Sequence, residues 1–118
     1  MILAPSSCIL ILKSRDNKMI KHIVMWTFKD HADGRGKDEN LKLATQMLAG
    51  LKDKIDTVRF LEIGHNINPS EAAYDLALYS EFDDQAGLDI YQKHPEHLKA
   101  VGFLGKVRHQ RVVVDYKV

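Results

Sequence analysis

The chain has one cysteine, Cys8, among 118 residues. No disulfide can form within it, and a lone thiol with no motif around it fits a reducing compartment, so a cytoplasmic location is expected. Long apolar runs are scarce as well. Near the start the one uninterrupted run, Cys8 to Leu12, is too short for the core of a signal peptide, no basic residue precedes it and no clear cleavage site follows. It is also too short to span a bilayer, so no membrane partner is expected. Charge of a single sign is missing too: seventeen basic against sixteen acidic residues leave a formal charge of +1. The cations are scattered rather than gathered into a stripe, which argues against nucleic acid as a partner.

What is present fits one domain, because a chain of this length buries roughly two-thirds of its unfolded surface and can hold a real core. Met19 directly precedes the first strong strand pattern, so the domain is expected to cover residues 19–118. Residues 1–18 read as an N-terminal extension, either a disordered arm or a tail produced by an early start codon. A short strand over residues 9–12, pairing with a sheet edge, is the alternative.

From Met19 onward the elements follow in a clear order. In residues 20–28, Ile20, His22, Val24, Trp26 and Phe28 share one face while Ile23 and Met25 make the other partly apolar, the pattern of a strand buried on both sides. Residues 29–36 read as a loop, and Leu41, Ala44, Leu48, Leu51 and Ile55 then recur at helical spacing, predicting a helix over residues 37–52. Strands are expected over residues 58–67 and 74–82, an antiparallel pair joined through the turn residues Asn68, Pro69 and Ser70. Asp83 or Asp84 can cap a short helix through Tyr91, and Pro95 suits the first turn of another, carrying Leu98, Val101 and Leu104 inward. Valine-rich residues 107–118 read as the closing strand.

Strand, helix, strand, strand, helix, strand is the split βαβ order of an α+β, ferredoxin-like subunit. The helices need only one face of such a sheet. If Val24, Trp26 and Phe28 lie on the other, they leave an apolar surface that a second copy of the sheet covers most simply. The expectation is a homodimer whose two sheets close an eight-stranded barrel.

Four stretches carry a resemblance: IKHIVMWTFK, YDLALYSEFDD, YQKHPEHLKAVG and VVVDY. Together, over about residues 19–117, they resemble the stress-responsive dimeric α/β-barrel family, the Dabb proteins. The resemblance implies a single-domain dimeric barrel. One member type, the plant olivetolic acid cyclases, performs an intramolecular aldol condensation in a pocket of this fold. Its polar site residues are similar to His22, Tyr91, His97 and Asp115 here, with His97 in the position of the base and Tyr91 in that of a substrate-holding phenol. The pocket-lining apolar residues differ, and the loops at residues 29–36 and 68–73 give no sign of a long acyl tunnel, so the cyclase substrate does not carry over.

The residues themselves support acid–base chemistry. His97 should sit near a helix N-terminus, where the dipole disfavours imidazolium, and Asp115 could fix its tautomer. With His97 as base, Tyr91 as hydrogen-bond donor and Asp115 as orienter, the set suits proton abstraction beside a carbonyl, a lyase or cyclase reaction that needs no cofactor. His22, Trp26 and His94 are the candidates for contact with substrate, a small apolar or polyketide-like molecule. Each has a structural alternative: His94 as helix-start punctuation, His97 as a tie between its helix and the strand of Asp115, Tyr91 as a core aromatic. His22, His94 and His97 could converge on a metal, but no cysteine or acidic pair completes a zinc pattern, so no metal is expected. His31, His65 and His109 are taken as solvated. Alternatives to an enzyme are a non-catalytic ligand-binding or stress-associated dimer and, by fold analogy with other dimeric barrels, a haem-handling one.

Overall fold

The computed structural model describes residues 19–118. The extension expected at residues 1–18, with its alternative strand at residues 9–12, lies outside them. Strand β1, Ile20–Phe28, is followed by a two-stranded hairpin, β2 (His31–Ala32) with β3 (Arg35–Gly36). Helix α1 spans Lys37–Ala49 and a single turn, α2, spans Leu51–Lys54. Strands β4 (Val58–His65) and β5 (Leu76–Phe82) precede helices α3 (Gln85–Lys93) and α4 (Pro95–Val107), and β6 (Arg108–Lys117) closes the chain. The main sheet has the order β4-β5-β1-β6, with every neighbouring pair antiparallel. This is the ferredoxin-like α+β fold expected from the element order. Among the described residues no helix is long and apolar enough to cross a membrane.

Two local departures have visible causes. Residues 29–36, read as a loop, hold the hairpin. Its turn residues Asp33 and Gly34 have φ of 54° and 78°, the positive pair that a two-residue Asp-Gly turn requires. The helix expected to run through to Lys52 breaks at Gly50 into α1 and α2. Asn40, fully buried, joins the hairpin to α1: its amide donates to the Ala32 carbonyl at 3.0 Å and its Oδ1 accepts from Arg35 Nε at 2.8 Å. Asn40→Ala strands those partners and is expected to lower stability by about 1–3 kcal/mol. Urea unfolding measures it; an unchanged midpoint would mean that the hairpin is held by its own turn.

The apolar core lies between the sheet and the helices. Leu76, Leu78 and Phe82 of β5 meet Ala44 and Leu48 of α1, Leu88 and Tyr91 of α3, and Ala100, Leu104 and Val107 of α4. On α4 the inward row is therefore Ala100, Leu104 and Val107, not the expected Leu98 and Val101, which are exposed. Tight approach of the helix to the sheet needs small Ala100 on the contact line. His65 is exposed, as expected, and also has Nε2 2.9 Å from Thr45 Oγ, which can accept its N–H because its own hydroxyl proton goes to the Leu41 carbonyl.

The alternation of β1 holds, but its two faces are exchanged relative to the expectation. Ile20, Val24, Trp26 and Phe28, each 3% exposed, point under the helices rather than into a barrel interior. The bulkier row gains more by burial in the chain's own core. The face free of helices carries Met25, Phe60, Val112, Val114 and Tyr116, all exposed. On that same face the Tyr79 hydroxyl donates to Glu81 at 2.5 Å, and Lys21 Nζ sits 5.5 Å from the Tyr79 ring centroid.

Candidate functional site

Helices α3 and α4 meet at a sharp junction built by three residues. Asp84 caps α3 by accepting from the Gly87 N–H at 2.8 Å, which sets its register so that Gly87, Leu88 and Tyr91 face inward. His94 then takes extended backbone, as the residue before a proline favours, and Pro95 opens α4. The His94 Nδ1 accepts from the Glu96 N–H at 3.1 Å, so this imidazole is a helix cap. It does not line the cavity described next, which removes the ground for listing it with the substrate contacts.

The junction brings Tyr91, at the end of α3, against His97, at the start of α4, with ring centroids 4.5 Å apart. From the sheet side, His22, the third residue of β1, approaches Tyr91 to 6.1 Å between ring centroids. Ser80 on β5 donates to the His22 carbonyl at 3.0 Å and so steadies the strand at this residue. His22, Tyr91 and His97 line a cavity of about 270 Å³ between sheet and helices, together with Trp26, Leu78, Leu104, Arg108 and Arg111 among others. A volume of this size lies at the lower end for small-molecule sites, so it suits a compact ligand.

Asp115 is where the sequence-based expectation fails in an informative way. Pairing of β1 with β6 sets Asp115 opposite His22, and its carboxylate accepts from His22 Nδ1 at 2.5 Å. His97 has a different orienter: its Nδ1 lies 3.1 Å from the Gln92 carbonyl. A carbonyl only accepts, so Nδ1 of neutral His97 carries the proton and Nε2 carries the free lone pair. Among the described residues, neither His97 Nε2, His22 Nε2 nor the Tyr91 hydroxyl has a hydrogen-bond partner.

Burial, with the nearby charges of His22, Arg111 and His94, pulls the His97 pKa below its ordinary 6.5, outweighing the opposing bond to the Gln92 carbonyl. Burial pushes the Tyr91 phenol upward. The site thus holds a neutral imidazole and a protonated phenol at neutral pH. Of the six expected site residues, His22, Trp26, Tyr91 and His97 converge on the cavity, Asp115 reaches it through His22, and His94 stays outside. Arg108 and Arg111 were missed. Arg111 shares strand parity with Asp115, so the alternation of β6 already placed it on the site's face.

A family model for the stress responsive A/B barrel domain matches residues 20–118. Among solved structures, a dimeric protein of unknown function and ferredoxin-like fold from Bacteroides fragilis is 35% identical, covering 85% of this chain and 96% of its own with a TM-score of 0.72. A Dabb family protein with a ferredoxin-like fold from Mesorhizobium loti is 27% identical over 84% of this chain and 95% of its own, TM-score 0.62. A hydroxynitrile lyase from Passiflora edulis is similar at 16% identity, 86% and 94% coverage and a TM-score of 0.74, a likeness of fold alone. No curated protein matches the chain.

Proposed function

The chain belongs to the stress responsive A/B barrel domain family, and from that premise we propose that each subunit of a homodimer catalyses proton transfer at the carbon beside a carbonyl. His97 Nε2 takes the proton and the Tyr91 hydroxyl donates to the oxygen that gains charge as the enolate forms. His22, held by Asp115, forms the sheet-side wall with Trp26. The observation that carries this reading is the His97 tautomer: its Nδ1–H is committed to the Gln92 carbonyl, and the ring lines a cavity beside Tyr91. The domain on this reading is residues 19–118. Relatives from Bacteroides fragilis and Thermobifida fusca described as dimeric support the homodimer, as does the apolar face free of helices.

The test is deuterium incorporation at the carbon between the carbonyls of methyl acetoacetate in D₂O, followed by NMR. Exchange above the buffer rate is the expected result. Ligand binding with no exchange at any pH would replace this reading with a non-catalytic binding protein.

The pH profile follows from the two shifts. A base must be unprotonated, so the rate should rise with pH through a midpoint below 6.5 and then level off. The raised phenol keeps Tyr91 a donor beyond the usual 10, so the plateau should not be cut there. Stability carries the same sign: a histidine whose folded pKa lies below its unfolded value contributes fully above 6.5 and loses that contribution as pH falls through the folded value. A rate independent of pH across the imidazole range would rule out His97 as the base.

A further inference from the structure

Among the described residues every charged side chain lining the cavity is cationic: Arg108 and Arg111 contribute guanidiniums, and no aspartate or glutamate of those residues lines the wall. Both arginines come from β6, where Arg111 pairs with Trp26 and Arg108 with Phe28 on β1, so they flank the cavity along one edge. Among the described residues neither has a carboxylate within ion-pair distance, and neither side chain makes a hydrogen bond. The nearest acidic group on the same face of β6, Asp115, is committed to His22. Arg111 is also close enough for its charge to bear on His97.

Arg108 is half-buried and Arg111 exposed, and two planar cations at the mouth of a small cavity are the complement of an oxyanion, since a guanidinium matches a carboxylate bidentately. We propose that Arg108 and Arg111 form a carboxylate subsite, and that the molecule taken up is a small keto acid whose acidic C–H faces His97. The inference rests on the proton-transfer reading for what happens to the ligand, but binding of the anion does not depend on it. The carboxylate contributes orientation: held at the β6 edge, it fixes which carbon meets Nε2. No covalent change at the carboxylate is involved.

The chain supplies its own reporter. Trp26 is the single tryptophan and lines the cavity. Titration of its fluorescence with acetoacetate and with the neutral methyl ester, at low salt, should show the acid binding roughly tenfold tighter. In an Arg108→Gln/Arg111→Gln double variant that preference should vanish while the ester binds as before, and Arg111→Lys should retain part of it. Raised salt should weaken the acid alone. Equal affinities for acid and ester, an undiminished preference in the double variant, or tighter binding of inorganic phosphate than of acetoacetate would each overturn the carboxylate subsite. An acid preference with no deuterium exchange would leave the subsite standing and remove the proton-transfer reading, so the two failures are told apart.

Discussion

Replacing His97 with glutamine is expected to slow catalysed deuterium exchange by about a hundred- to ten-thousandfold, the range a positioned general base contributes. The reason is specific to Nε2. In the native ring Nδ1–H goes to the Gln92 carbonyl at 3.1 Å, which leaves Nε2 as the basic atom of the pair. Glutamine retains bulk and polarity but has no nitrogen lone pair. The structural cost should be small: one hydrogen bond is worth about 0.5–1.5 kcal/mol net, against a total stability of about 5–15 kcal/mol. Urea unfolding should therefore shift little while exchange collapses. The reverse pattern, lost stability with no exchange to lose, would make His97 a structural tie. Asp115→Asn separates the two histidines, because its partner is His22. It should slow exchange far less than His97→Gln does; an equal loss would mean that the carboxylate orients His97 after all.

The second large effect concerns assembly. Met25→Asp should convert the proposed dimer into a monomer of 13.4 kDa, read by gel filtration with light scattering. Met25 lies at the centre of the face free of helices, paired with Ala77 on one side and Val112 on the other. With Met25 and Val112 each 39% and Val114 52% exposed, that face is a contiguous apolar surface that a partner sheet could cover. A carboxylate there would be buried without a partner, at a cost of several kcal/mol, and the twofold repeats it. His22, Trp26, Tyr91, His97, Arg108 and Arg111 all come from one chain, so the monomeric variant should still quench Trp26 fluorescence when acetoacetate is added. A wild-type protein that elutes as a monomer would contradict the sheet-to-sheet dimer.

Element order and type were readable because local signals agree: alternation in β1, Asp84 before α3, Pro95 opening α4. Which face of β1 meets the helices was not, since both rows are apolar and only packing against α1, α3 and α4 decides between them. The same limit applies at the site. His22, Tyr91, His97 and Asp115 could be named one by one, yet the partner of Asp115 is set by the pairing of two residues 93 apart in sequence. Periodicity within each strand fixes which face a residue takes, and not which residue of the neighbouring strand it meets. Ala100 was overlooked for a simpler reason, because a small residue on a contact line is nearly silent in a hydrophobic pattern. The Asp33-Gly34 turn, by contrast, was signalled in the sequence and passed over.

Strand β1 places Trp26 on the cavity and its neighbour Met25 on the opposite surface. The division repeats along the strand: even-numbered residues face the helices, odd-numbered residues the side free of helices. Inheritance can therefore act on the two sides separately. A lineage that changes residues 22, 24 or 26 alters the cavity wall, while residues 23 and 25 leave the helix-free face as it is. One fold can then carry many different cavities behind an unchanged outer face.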